Sequence, residues 1–128
     1  MARLIPSEHE EQKTLFEWAA YHARQYPELY LLFAIPNGGL RSPKTGARLK
    51  AEGVKAGVPD LMLPVARGGY HGLFVEMKAG RGRATRVQRV WADMLAAEGY
   101  RVALCRGWEE AARVILAYLQ DERVLSGG

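Results

Sequence analysis

The chain has 128 residues, 48% of them hydrophobic and 25% charged, a composition typical of one globular domain with a single core. It contains no run of eighteen apolar residues, which excludes a membrane-spanning helix. Eighteen Lys and Arg residues outnumber fourteen Asp and Glu residues, and the resulting net charge of +4 is a mild indication of a polyanionic partner.

The first half of the chain begins with a predicted helix. The pattern S-x-x-E starting at Ser7 is a capping box, and the apolar repeat after it predicts a helix over residues 8–26. The nearly continuous apolar run YLLFAI, residues 30–35, predicts a buried strand. Residues 36–59 have the composition of a loop, with one short helix expected around residues 47–52.

The second half of the chain is predicted to contain a hairpin and then a crossover. Two apolar segments, residues 60–65 and 73–79, are joined by ARGGYHG, which favours an antiparallel hairpin. A second capping box at Thr85 opens a helix that ends at Gly99, and we expect a strand and a last helix over residues 100–105 and 108–121. The order αβββαβα, with a helix between the third and fourth strands, predicts a mixed β-sheet flanked by helices, an α/β fold.

The chain has a single cysteine, which excludes an internal disulfide. Cys105 ends the apolar run VALC, and we therefore expect a buried thiol in a protein of a reducing compartment.

Three charged residues stand at the ends of the two hairpin strands. Asp60 begins one strand, whereas Glu76 and Lys78 lie near the end of the other and share a face, because alternate side chains of a strand do so. In a hairpin these two ends are neighbours, so we expect two carboxylates and one ammonium group to converge. This combination suits phosphodiester hydrolysis, since Mg²⁺ takes carboxylate and phosphate oxygens and a lysine can stabilise phosphate charge.

Each of these features also has an ordinary structural interpretation. Glu76 and Lys78 could form a solvated ion pair on an exposed strand, and Asp60, which follows a proline, could be a turn residue. The combination is harder to explain in this way, because the strand is apolar on both faces and buried unpaired charges are costly.

The sequence GVPDLMLP, followed by LFVEMK and then by Gln88 near the start of a helix, resembles the VRR-NUC family. This family of virus-type replication-repair nucleases belongs to the PD-(D/E)xK restriction-endonuclease-like superfamily. The resemblance extends from about Glu8 to Tyr118. It implies a restriction-endonuclease-like fold and a single nuclease domain over residues 1–128.

The resemblance also implies roles for individual residues. Asp60 and Glu76 correspond to ligands of Mg²⁺ or Mn²⁺, with the backbone carbonyl of Met77 as a third ligand. Lys78 corresponds to the catalytic lysine. Gln88 corresponds to a glutamine close to the site, and it is also the capping-box partner of its helix.

A glutamate on the first helix completes the family pattern, and both Glu8 and Glu11 qualify. We favour Glu8, because Gln12 and Leu15 then fall at family-like spacing. The other glutamate is expected only to interact favourably with the helix dipole.

Positive charge follows the proposed site. A glycine-containing basic stretch lets the backbone approach phosphate, and its arginines are predicted DNA contacts: Arg81, Arg83, Arg86 and Arg89. A second group, Asn37, Arg41 and Lys55, would form the other wall of a DNA groove. Ordinary solubilising surface charge is the simpler explanation for the charged residues of this second group.

The resemblance therefore implies a Mg²⁺- or Mn²⁺-dependent endodeoxyribonuclease that acts on branched DNA such as a Holliday junction or a flap. It also implies a DNA-repair enzyme in the cytoplasm of a bacterial or phage-infected cell, and a homodimer. The alternative is a catalytically idle DNA-binding accessory protein of the same fold. Intact Asp60, Glu76 and Lys78 argue against that alternative.

Overall fold

Four strands form one mixed sheet between helices in the computed structural model, which describes residues 6–36 and 42–121. The helices are α1 (Glu8–His22), α2 (Pro43–Ala51), α3 (Arg86–Ala97) and α4 (Trp108–Gln120). The strands are β1 (Phe33–Ala34), β2 (Leu61–Leu63), β3 (Leu73–Lys78) and β4 (Arg101–Arg106). None of the helices in the described residues is both long enough and apolar enough to cross a membrane.

The strands lie in chain order, β1-β2-β3-β4. The first two pairings are antiparallel, and β2 and β3 form the predicted hairpin with Leu61 opposite Val75. The β3–β4 pairing is parallel, with Val75 opposite Ala103, because α3 carries the chain back across the sheet. The predicted mixed sheet is therefore confirmed.

The strand predicted over residues 30–35 is wrong for most of its length. A 3-10 helix, Pro27–Leu31, occupies the first part, and only Phe33–Ala34 pairs with the sheet. Burial across residues 29–32 follows a period of three. Leu29 and Leu32 are buried, and the two side chains between them are exposed. That period is typical of a 3-10 helix, and a proline at its first turn fixes a helical φ angle there.

Two helix boundaries also differ from the prediction. The helix predicted over residues 8–26 ends at His22, because Tyr26 precedes a proline and has φ −124° and ψ 83°, outside the helical region. The helix expected around residues 47–52 begins earlier, at Pro43. The Ser42 side chain accepts a hydrogen bond from the Thr45 backbone N–H and caps this helix.

The core lies on one face of β3. Val75 and Met77 are buried there with Leu15 of α1 and Ile115 of α4. Complete burial of one such side chain contributes roughly 1.5–3 kcal/mol. Cys105 is also buried on this face, as predicted, and burial raises the pKa of its thiol to about 11.

The other face of β3 is also buried, although it carries Phe74, Glu76 and Lys78. Phe74 packs edge-on against Tyr100 at 5.3 Å between ring centroids. The two charged residues follow at the end of the strand, where α3 begins to cover this face. The candidate site therefore lies at the end of β3 and below the start of α3.

Candidate active site

The register of the hairpin brings Asp60 opposite Glu76. Leu61 pairs with Val75. Asp60, the residue before β2, therefore lies opposite Glu76, the residue after Val75 in β3. The backbone N–H of Ile35 donates to the Asp60 carbonyl at 2.7 Å, which extends the β1–β2 ladder by one bond. The backbone at Asp60 is thus held by the sheet on the β1 side.

The Asp60 side chain is held by β3. Its Oδ2 accepts a hydrogen bond from the backbone N–H of Met77 at 2.7 Å. In a longer β2, a backbone carbonyl would accept this hydrogen bond. Because β2 begins only at Leu61, the Asp60 carboxylate accepts it instead. The N–H and C=O groups of one strand residue point to the same edge, so the Met77 carbonyl also faces the Asp60 side of the strand.

Glu76 is only 6% exposed and forms hydrogen bonds with two groups of the site. Its Oε1 accepts a hydrogen bond from Nε2 of Gln88 at 3.1 Å. Burial raises the pKa of Glu76 to about 9, and a hydrogen bond with the Asp60 carboxyl and the charge of that group contribute in the same direction. The positive charge of Lys78 opposes this shift only in part. The carboxyl group of buried Glu76 is therefore in direct contact with that of partly buried Asp60.

Gln88 closes the capping box of α3 and also contacts Glu76. Its Oε1 accepts from the Thr85 backbone N–H at 2.8 Å, and the Thr85 hydroxyl accepts from the Gln88 N–H at 3.2 Å. The same side chain reaches Glu76 through its amide nitrogen. The capping box of α3 thus fixes a hydrogen-bond donor against the carboxylate.

Lys78 is 8% exposed and projects from the same face as Glu76. Ion pairs within 4 Å among the described residues are Arg48–Glu52 and Arg67–Glu28, so Glu76 and Lys78 do not form a direct pair. The interpretation of these residues as a solvated surface ion pair is therefore wrong, since both side chains are buried. Lys78 acts on Glu76 through its charge across a longer distance.

The two glutamates of α1 have different surroundings. Glu11 accepts a hydrogen bond from the Trp108 backbone N–H at 2.6 Å, at the start of α4 where Gly107 offers no side-chain cap. The charge of Glu8, by contrast, contributes to the raised pKa of Glu76, which places Glu8 on the side of the site. Glu11 therefore holds two helices together, whereas the charge of Glu8 makes a small contribution to the electrostatics of Glu76.

The basic residues predicted to contact DNA are exposed where the structure describes them: Lys55, Arg81, Arg83, Arg86 and Arg89. Asn37 and Arg41 lie outside the described residues. Arg89 also has a structural contact, because its Nη1 donates a hydrogen bond to the Ala84 carbonyl at 2.7 Å.

Sequence inspection missed Arg106. It pairs with Lys78 across the parallel strands, and its Nη1 donates to the carbonyls of Gly80 and Gly82. It thereby holds the basic loop after β3 against the end of β4. The sequence predicted that the strand corresponding to β4 ends at residue 105. The pairing of β4 with β3 brings Arg106 beside Lys78, and only the register of the sheet shows this.

The donor atoms at the end of β3 fit a hard divalent cation. Two carboxyl groups in contact and a backbone carbonyl on the same side are oxygen donors of the kind that Mg²⁺ and Mn²⁺ prefer. No group of three or more His, Cys, Asp or Glu side chains within residues 6–36 and 42–121 could hold a metal ion by itself. Such an ion would therefore need water and substrate phosphate oxygens to complete its shell, as is usual for Mg²⁺.

The chain is similar to known proteins over most of its length. The sequence profile of the VRR-NUC domain matches residues 6–109. A solved structure described as a VRR_NUC domain protein superposes with a TM-score of 0.75 and 34% sequence identity, covering 94% of this chain and 95% of that one. No functionally curated protein matches the chain. The sequence match over most of the chain and the shared fold show that this protein belongs to the VRR-NUC domain family, a family of nuclease-type domains.

Proposed function

We propose that this protein is a Mg²⁺- or Mn²⁺-dependent endodeoxyribonuclease that hydrolyses phosphodiester bonds. The observation that carries the proposal is the contact between the carboxyl group of buried Glu76 and that of partly buried Asp60. Two acids in contact are unfavourable unless a cation or a proton compensates them, and Lys78 compensates them only in part. A divalent cation would satisfy this arrangement.

Each residue has a role in the proposed reaction. Asp60, Glu76 and the Met77 carbonyl would bind the cation, which when bound supplies a Lewis acid at the phosphate and an acidified water. Lys78 would stabilise negative charge on the phosphate or orient the attacking water. Gln88 orients the Glu76 carboxylate through its amide N–H. Glu8 would complete the acidic side of the site.

The preference for branched DNA and the homodimer are part of the same proposal. The exposed arginines that follow Lys78 support contact with a phosphate backbone, and such contacts carry no sequence information. A two-fold symmetric dimer would suit a four-way junction. The molar mass in solution, measured by light scattering over a range of concentrations, tests the dimer.

The proposal is tested by cleavage of a synthetic four-way junction, a flap and a linear duplex of matched sequence, with Mg²⁺, Mn²⁺ or EDTA. We expect wild-type protein to cut only with a divalent cation, and to cut the branched DNA faster than the duplex. Glu76→Ala and Lys78→Ala should each lower the rate by roughly 10²-fold or more. Lys44→Ala, at an exposed position on α2, is the matched control and should cut like wild type.

Two results would contradict the proposal in different ways. Cutting that survives in Glu76→Ala means that the reaction uses another site. Tight binding of the junction without cutting under any of these conditions supports the alternative of a catalytically idle DNA-binding protein.

A further inference from the structure

A shallow cavity of about 250 Å³ lies between α1 and the edge strand β1. Its lining residues are His9, Gln12, Lys13, Phe16 and Ala34. The four that belong to α1 follow the spacing i, i+3, i+4, i+7, so they form one continuous stripe along the helix. This stripe lines the cavity beside β1, the first strand of the sheet that the described residues form, and has no role in the chemistry proposed above.

Two lining residues of the cavity are neighbours in sequence of residues at the candidate active site. On α1, Glu8 immediately precedes His9. On β1, Ala34 immediately precedes Ile35, whose N–H is bonded to the Asp60 carbonyl. The cavity is therefore connected to the candidate active site through one neighbouring residue on α1 and one on β1.

The lining groups match the chemistry of a single nucleotide. Phe16 is half-buried and gives an apolar wall against which a base can pack, and the Gln12 amide can both donate to and accept from a base edge. Lys13 and His9 can donate to a phosphate oxygen. The nearest acid of the first turn, Glu10, is bonded back to the backbone N–H of Ser7. Glu17, one turn beyond Lys13, is exposed.

We propose that this cavity binds one unpaired nucleotide of the DNA next to the bond that is cut. The proposal rests on the nuclease function proposed above and adds a substrate feature, because a base reaches such a cavity only if it is unpaired and unstacked. It predicts that the protein distinguishes DNA with a single-stranded nucleotide beside the cut from DNA that is paired throughout.

The test uses a flap whose nucleotide beside the cut is unpaired and the same strand paired in a duplex. Gln12→Ala and Lys13→Ala should lower kcat/KM for the flap about tenfold, and for the duplex less than about twofold, since each removes a hydrogen bond to the unpaired nucleotide, from Gln12 to its base and from Lys13 to its phosphate. Lys13→Arg keeps the positive charge and should retain most of the activity. The control Arg24→Ala removes an exposed cation just beyond the end of α1, about three turns from Lys13 along the chain, and should change neither rate.

A second readout does not depend on cleavage. With 2-aminopurine at the unpaired position and EDTA present, binding of wild-type protein should change the fluorescence, and Gln12→Ala should abolish that change. If wild-type protein cuts but the variants lose activity equally on both substrates, or lose none, the cavity is not a nucleotide site. If wild-type protein cuts neither substrate but the fluorescence change occurs, the nuclease proposal fails and the cavity proposal stands as a binding site.

Discussion

Glu8 and Glu11 stand three residues apart on α1, and their partners give them different functions. Glu11 accepts the Trp108 N–H at the start of α4, where the Gly107 N-cap has no side chain to do so. The charge of Glu8 contributes, as the smallest of several causes, to the raised pKa of Glu76. Two residues of one type on one helix turn are therefore a structural cap and a component of the candidate site.

This difference predicts opposite effects of two substitutions. Glu11→Ala should lower the free energy of unfolding by about 1–2 kcal/mol, the usual cost of losing a helix cap, and leave cleavage per folded molecule unchanged. Glu8→Ala should change the free energy of unfolding by less than about 0.5 kcal/mol and lower the cleavage rate roughly tenfold or more. Urea denaturation and single-turnover cleavage measure the two quantities.

Glu17→Ala is the matched control for both substitutions, because Glu17 is exposed on the same helix. It should change neither stability nor cleavage. A stable Glu11→Ala variant with low activity would reverse the assignment of the two glutamates.

The sequence identified the acidic and basic residues of the candidate site but not every partner. Asp60 and Glu76 could be paired from the hairpin pattern alone, because an antiparallel register follows from two neighbouring segments. The partner of Glu11 lies 97 residues away in sequence. Such a long-range contact depends on how two helices pack, and no local pattern encodes it.

At the scale of secondary-structure elements, the start of α3 links the fold to the chemistry. Gln88 closes the capping box with Thr85 and donates to Glu76 with the same side chain. Formation of the helix therefore places a hydrogen-bond donor at the carboxylate. The first turn of α3 is accordingly both a stability element and a positioning element.

The two functions of this turn can be separated by substitution. Thr85→Ala removes a cap and should cost about 1 kcal/mol of stability, while cleavage per folded molecule stays within about twofold. Gln88→Leu also weakens the cap, but it leaves Glu76 without its donor, and cleavage should fall roughly tenfold. Denaturation curves and cleavage rates are compared for both variants.

Thr85→Ser keeps the hydroxyl cap and serves as the control, with wild-type stability and activity expected. Equal losses of activity in Thr85→Ala and Gln88→Leu would mean that α3 positions the site only through its helical structure, without a specific role for the bond to Glu76.

The elements were predictable where a local pattern determines them. Both capping boxes predicted helix starts correctly, and the crossover after β3 predicted the parallel pairing. The apolar run that contains Tyr30 and Leu31 was misassigned as a buried strand, although these side chains are 74% and 51% exposed. A continuous apolar run has no period that distinguishes a strand from a 3-10 helix, so only its packing decides.

At the scale of the whole molecule, the buried carboxyl pair makes stability depend on pH. The folded protein raises the pKa of Glu76 from 4.5 to about 9, because burial and Asp60 disfavour its charged form. Between these two values the folded state retains a proton that the unfolded state releases. The stability contribution of this group is therefore lost as the pH rises from about 4.5 to about 9.

A bound divalent cation should oppose this loss, since it replaces the proton between the two carboxylates. Without metal, we expect the Tm of the wild type to fall more steeply between pH 6 and pH 9 than that of Glu76→Gln, which has no proton to lose there. Cys105, with a pKa of about 11, contributes little in this range.

Manganese should raise the Tm of the wild type, because an ion that binds only the folded state stabilises it by mass action, by about 2.7 kcal/mol at a hundredfold excess over Kd. The increase should be larger at pH 8.5 than at pH 6, since protons compete less at the higher pH. Glu76→Gln should show little increase at either pH, and differential scanning fluorimetry measures all four conditions. An equal increase in the variant would show that manganese binds elsewhere, and the Asp60–Glu76 pair would lose its assignment as the metal site.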